Sequence, residues 1–391
     1  MEKILLLRKN ESMNPIHRIL KEQLTYWLNK GKVLVLTGAR QVGKTTLIKD
    51  LFKEEQLLWL NGDDPAVRTR LENATLNSIK DIIGGYKIVV IDEVQRILNP
   101  GILLKMMIDQ YPEVQYIATG SSALEISDKL FEPLTGRHIL FHLYPFAQAE
   151  IYPNKTVFEL EQQLPFHLIY GAYPDIVLNR ADAEILLKNL ASQYLYKDVL
   201  IWKDIRKPEL LDRLLQLLAY QVSSEVSMNE LANALKVKSE TVENYIDLLE
   251  KSFVIFRLKS YSTNDRKEVT KMSKIYFWDN GIRNAIIDDF RPLELRNDVG
   301  ALWENFLVSE RMKIKAWNNL TARSYFWRNK QQREVDYLEL QHGDVSAFEM
   351  KWNSEKKHKV TLAFTNAYPN AKTTIITPNN FKDFCWGEKT Q

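Results

Sequence analysis

The stretch GARQVGKTT, residues 38–46, places glycines at 38 and 43 and follows the second with Lys44 and Thr45. That spacing fits a loop that cradles the phosphates of a nucleoside triphosphate. Phosphate oxygens need backbone N–H groups turned inward, and a Cβ would obstruct the approach, hence Gly38 and Gly43. Ala39, Arg40, Gln41 and Val42 supply the amides between them, and Thr46 follows in the first helical turn. A helix opening here adds partial positive charge. Lys44 is expected to reach the β- and γ-phosphates of ATP, and the Thr45 hydroxyl to ligate Mg2+. The second half of such a site is an acid at the end of a neighbouring buried strand, and KIVVIDEVQ (87–95) supplies it. Asp92 is placed to hold Mg2+ through water, and Glu93 to polarise the attacking water.

Three further stretches carry candidate chemistry. YIATGSSA (116–123) ends a strand in small hydroxyl residues. Thr119 or Ser121 could contact the γ-phosphate or orient the water, or simply form a Gly/Ser-rich turn. In LTGRHILFHLYPF (134–146), Arg137 could touch phosphate in cis, reach a neighbouring subunit's site in a homo-oligomer, or lie solvated. REVDYLELQHGDVSAFEMKW (333–352) reads as a hairpin turning at Gly343. Alternate residues on a strand share a face, so Glu349 and Lys351 point together, and Asp336, at the start of the first strand, would lie near the end of the second. Acids that bind Mg2+ beside a lysine suit cleavage of nucleic acid, because the metal offsets phosphate charge and lowers the pKa of its water. Glu304, in LWENFLVSERM (302–312), is the candidate fourth member, and Arg328 a candidate phosphate contact.

The elements that must position these residues are legible as periodicities. VLVLT (33–37), LLWLN (57–61), IVVID (88–92) and VQYIAT (114–119) are short apolar runs of strands buried on both faces. Helical patterns lie between them, the signature of a parallel α/β sheet. Residues 1–30 read as a helical lead-in, and residues 158–252 are mostly helical.

GARQVGKTT, IVVIDEVQR, IATGSSA, LTGRHILFHLYPF and GAYPDIV (171–177), in that order, resemble the bacterial and archaeal AAA+ ATPases whose C-terminal half is a separate domain of poorly known function. The resemblance extends over nearly the whole chain and implies ATP hydrolysis. The Asp336, Glu349, Lys351 set likewise resembles the D…ExK pattern of restriction-endonuclease-like folds, which the resemblance implies for the C-terminal domain.

VSMNELANALKVKSETVENYIDLLEKSFVIFRLK (226–259) has the layout of a helix-turn-helix with a wing. Ser227 precedes the first helix, and Ser239 is expected to cap the second. Val242, Tyr245, Ile246 and Leu249 line one face of the second helix, and strands follow at 254–258 and 274–278. The head of that helix offers Lys236, Lys238, Ser239, Thr241 and Asn244, but also Glu240 and Glu243. The wing loop carries Arg266, Lys267, Lys271 and Lys274, which would suit DNA phosphates. The same module can instead serve for packing.

Bulk composition sets the frame. The 391 residues are 45% apolar and 26% charged, the balance of a soluble globular chain of two or three domains. A net charge of +3 does not by itself argue for nucleic acid. The lone Cys385 excludes an internal disulfide. No apolar run reaches the roughly 18 residues of a membrane span, and the expectation is a cytoplasmic protein without membrane contact. The histidines and Cys385 show no zinc spacing.

The expected fold class is α/β in three units: an AAA+-type P-loop sheet over 15–150, a helical connector and winged helix over 151–290, and a restriction-endonuclease-like α/β domain over 291–391. The function expected is ATP hydrolysis with Mg2+, coupled to DNA through a nuclease-like end. The alternative is a nucleotide switch that binds a protein partner, with the C-terminal fold a scaffold.

Overall fold

Five strands build the first sheet: β1 Val33–Thr37, β2 Leu58–Asn61, β3 Ile88–Asp92, β4 Gln115–Gly120 and β5 His138–His142. Their order is β2-β3-β4-β1-β5, and every neighbouring pair is parallel. The computed structural model that shows this describes residues 16–121, 130–200, 208–261, 273–355 and 358–387. All residues of β1 and β4 are buried, as their apolar runs require when helices cover both faces. β2 departs from the sequence reading. It lies at the sheet edge and is only half-buried, because β3 is its one neighbour.

The second sheet is antiparallel, with β6 Glu225–Val226, β7 Ile255–Lys259 and β8 Ser273–Phe277 in the order β6-β8-β7. Two helices, Met228–Leu235 and Ser239–Lys251, stand before β7. Ser227 caps the first helix by accepting the Glu230 amide, and Lys236 ends it in a left-handed conformation. Val242, Tyr245, Ile246 and Leu249 are buried, as their spacing indicates. Ser239 is not a cap. Lys238 holds that position, and the Ser239 hydroxyl donates to Asn229 Oδ1 at 2.6 Å instead. Arg266, Lys267, Lys271 and connector residues 201–207 lie outside the described residues.

The third sheet has β9 Arg323–Arg328, β10 Glu334–Gln341, β11 Asp344–Met350 and β12 Lys372–Ile376, in the order β12-β11-β10-β9. β10 and β11 form the expected hairpin, closing at the pair Gln341–Asp344. His342 and Gly343 between them both have positive φ, the two-residue turn whose twist matches paired strands. The long helix Val299–Trp317 packs against β8 and β11, joining the second and third sheets.

One continuous apolar core runs from Leu34 and Leu36 through Leu211, Ile275 and Phe277 to Trp303 and Phe384. Where β5 leaves the first sheet, the Tyr144 ring stacks on Trp278 at 3.9 Å and Trp317 Nε1 donates to His142 O at 3.0 Å. The first sheet is therefore held by the other two rather than tethered to them. Among the described residues, no helix is long and apolar enough to cross a membrane.

Candidate functional site

Because the first sheet is parallel, the C-terminal ends of β1, β3 and β4 open on one edge, where ligands of open α/β sheets bind. Residues 38–46 leave β1 there. Gly38 passes so close to the next strand's exit that a Cβ would lie 2.1 Å from Leu143 O. Gly43 has φ +94°, a left-handed value that suits glycine, and starts the helix Lys44–Leu51. The first intrahelical bond runs from Leu47 N to Gly43 O, so the amides of the first turn have no acceptor within the helix. Lys44 is buried, and its ammonium donates to Gly38 O and Ala39 O, both at 2.8 Å. Thr45 is half-buried and Arg40 likewise, while Gln41 and Thr46 are exposed and Val42 is buried.

Asp92 ends β3 on the same edge and accepts a hydrogen bond from the Thr119 hydroxyl of β4, the strand between it and β1. Glu93 follows in a left-handed conformation, φ 51°. Its carboxylate accepts from Gln95 Nε2 at 2.5 Å, and the same amide reaches Ser121 Oγ at 3.4 Å. Gly62 lets the turn after β2 lie under this loop, since a Cβ there would stand 2.5 Å from Glu93 O. Gln95 was missed in the sequence. Its signal was present, two residues after the glutamate in IDEVQ, but only the 3-10 turn Val94–Arg96 aims it back.

Arg137 does not join the site. It precedes β5, whose first residue pairs with Val33, the first residue of β1, so it sits at the opposite edge from residues 38–46. Its carbonyl accepts from Val33 N, and its guanidinium binds Asp109 Oδ1 at 2.7 Å. A five-residue strand spans roughly 17 Å, which removes Arg137 from any cis phosphate contact.

The hairpin does bring Asp336, Glu349 and Lys351 together. Lys351 Nζ lies 2.7 Å from Glu349 and 3.2 Å from Asp336, and Asp336 also accepts the Met350 amide at 2.7 Å. Burial, reinforced by Asp336, pushes the Glu349 carboxyl up to about 7. Glu304 is held by Lys274 Nζ at 2.8 Å and the Tyr276 hydroxyl at 2.7 Å, close enough to Asp336 for the two carboxylates to repel. Burial raises its pKa to about 7 against the pull of Lys274. Among the described residues, no group of three or more His, Cys, Asp or Glu side chains is arranged to hold a metal ion. The three carboxylates expected as a metal set, Glu304, Asp336 and Glu349, are held here by lysines. An ammonium stands against each carboxylate, Lys274 on one side and Lys351 on the other.

Two basic residues change roles. Lys274, read as a wing residue for DNA phosphates, is 1% exposed and lies between Glu304 and Glu334. Arg328 binds Glu225 Oε2 at 2.8 Å across to β6 rather than facing solvent phosphate. Lys236, Lys238, Glu240, Glu243 and Asn244 are exposed, a surface of mixed charge.

Residues 30–152 match a family model described as an AAA domain. The parallel five-stranded sheet of this segment, with a glycine-built loop leaving β1, is similar to such a domain. Residues 161–293 and 299–385 match two domains of unknown function, DUF8612 and DUF4143. The chain is 29% identical over 335 residues to an uncharacterized protein of Mycobacterium tuberculosis, covering 84% of this chain and 72% of the relative. A Methanocaldococcus jannaschii relative, also uncharacterized, is 27% identical over 339 residues, covering 73% and 70%. Among solved structures, a Walker-type ATPase of Pyrococcus abyssi is similar at 17% identity and a TM-score of 0.47, over 68% of this chain and 94% of that one.

Proposed function

We propose that the AAA domain hydrolyses ATP with Mg2+ at the edge formed by residues 38–46, Asp92 and Glu93. One observation carries this reading: the glycine-built loop and helix head at β1 face the hydrogen-bonded Asp92–Thr119 pair one strand away. The Lys44 ammonium, now on two loop carbonyls, is the cation within reach of the terminal phosphates. The Thr45 hydroxyl and the Asp92 carboxylate would hold Mg2+, whose charge offsets that of the phosphates when it is bound. Water oxygen attacks the γ-phosphorus, the bond to the β-phosphate oxygen breaks, and Glu93 takes the proton from the water. Gln95 holds the Glu93 carboxylate, and Ser121 marks the far side of that contact. The test is turnover by the parent, Lys44→Ala and Glu93→Gln. Lys44→Ala should neither bind nor hydrolyse ATP, and hydrolysis equal to the parent's would overturn the assignment.

A second reading concerns the C-terminal cluster. Glu349, titrating at about 7 and 2.7 Å from the Lys351 ammonium, is poised to exchange a proton near neutral pH. With Asp336 this suits nucleic-acid cleavage, and the exposed head of the helix Ser239–Lys251 would be the DNA contact. The assay is cleavage of single- and double-stranded DNA in Mg2+ buffer by the parent and Asp336→Ala. Equal cleavage by both would remove this reading and leave the cluster as the scaffold of a nucleotide switch for a protein partner.

A further inference from the structure

We infer that Arg18 is a positioning residue for the nucleotide cup and acts through the peptide between Val42 and Gly43; this rests on the reading of residues 38–46 as the phosphate site. Arg18 lies outside the loop motif, in the segment before the first helix, and is 6% exposed. Its guanidinium binds three fixed oxygens: Val42 O at 3.0 Å, Tyr144 O at 2.7 Å and Glu150 Oε1 at 3.0 Å. The Phe146 ring lies 4.6 Å beneath it.

The reason lies in peptide geometry. In a trans peptide the C=O and N–H point in opposite directions. Holding Val42 O on the Arg18 side therefore sends the Gly43 N–H to the other side, into the cup. Gly43 itself resists a flip of this peptide only weakly, because it has no Cβ. The rigid, forked guanidinium supplies the orientation that the glycine cannot, and a lysine ammonium would not reproduce it.

The mount of Arg18 is itself fixed. Glu150 accepts the amides of Ile19 and Ala147, both at 2.9 Å. The next amide, Gln148 N, donates to Glu310 Oε2 at 2.6 Å. Lys313 joins Glu310 Oε1 at 2.8 Å to Phe146 O at 3.0 Å. Both residues belong to the helix Val299–Trp317 that also carries Glu304, so the loop's orientation is referenced to the C-terminal unit.

The experiment measures KM and kcat for ATP with Arg18→Lys and Glu150→Gln, each checked for folding by its melting temperature. Arg18→Lys should raise KM about tenfold while kcat stays within about threefold, because the amide contact serves ground state and transition state alike. Glu150→Gln, which keeps the arginine but loosens its mount, should shift KM the same way by about threefold. Unchanged KM in both folded variants, with only a lower melting temperature, would make Arg18 purely structural and overturn the inference. A readout without mutation is the Gly43 amide resonance of the parent, which should move on saturation with ADP. A still Gly43 beside a shifted Lys44 amide would also overturn it. A parent that binds no ATP at all would instead remove the nucleotide reading, and the Arg18 role with it.

Discussion

Replacing Lys274 by methionine keeps most of the side chain's apolar volume and removes its charge. The ammonium lies 2.8 Å from Glu304 and 2.6 Å from Glu334, at 1% exposure. Burial alone would lower the Lys274 pKa, but Glu304, Asp336 and Glu334 together outweigh burial and raise it. Deleting one member of a buried ion pair costs about 3–5 kcal/mol, because the partner is left uncompensated. Glu334 is 25% exposed and partly screened, so about 3 kcal/mol is expected. The assay is urea unfolding of the parent, Lys274→Met, Glu304→Gln and the double variant at about pH 8. The double variant should recover about 2 kcal/mol, since a glutamine oxygen still accepts the Tyr276 hydroxyl. The loss should also depend on pH, and the sign follows from Glu304. Its folded pKa of about 7 stands above the ordinary 4.5, so the folded state holds this proton more tightly than the unfolded chain. Stability from this group is present below 4.5 and is lost as pH rises through 7. Without Lys274 the folded value rises further, so the penalty at about pH 8 should shrink at about pH 5.5. A loss under about 1 kcal/mol, or the same loss at both pH values, would refute the reasoning.

Three other outcomes are expected. Gly38→Ala should abolish ATP binding, because its Cβ would stand 2.1 Å from Leu143 O and the strand exit must move; titration with ATP measures this, and unchanged affinity would contradict it. Glu93→Gln should lower kcat about a hundredfold while the ATP Kd stays within about threefold, and a parallel loss of binding would show that the carboxylate is not acting as the base. Arg137→Ala should leave turnover within about twofold, because the residue lies at the far edge beside Asp109; a tenfold loss with a concentration-dependent rate would place it in a neighbouring subunit's site.

The glycine-built loop at residues 38–46 was legible because its requirement is local. Inward amides and a close approach at Gly38 restrict a few consecutive residues, whatever surrounds them. Asp92 was legible for the same reason, as the polar end of a run that can only be a buried strand. The hairpin around Gly343 was readable from its turn residues and from period-two alternation, and so was the shared face of Glu349 and Lys351. Thr119 stood among the candidates, but that it, rather than its neighbours, meets Asp92 follows from β4 lying between β1 and β3.

The sequence by itself determined which residues could hold phosphate and which runs must be strands, since both depend on neighbours along the chain. Only the tertiary structure decided where the charges went. Lys274 reads as a wing residue suited to DNA phosphates and is sealed between two glutamates. Arg137 reads equally as a phosphate contact, in cis or in a neighbouring subunit, or as a solvated arginine, and it stands at the sheet edge opposite residues 38–46. Arg18 carried no motif, yet its guanidinium meets Val42, 24 residues on, and Glu150, 132 residues on. A charge takes its role from its surroundings in a low-dielectric interior, where an unpaired ion is costly. Those surroundings are assembled from segments far apart in sequence, and no local pattern records them.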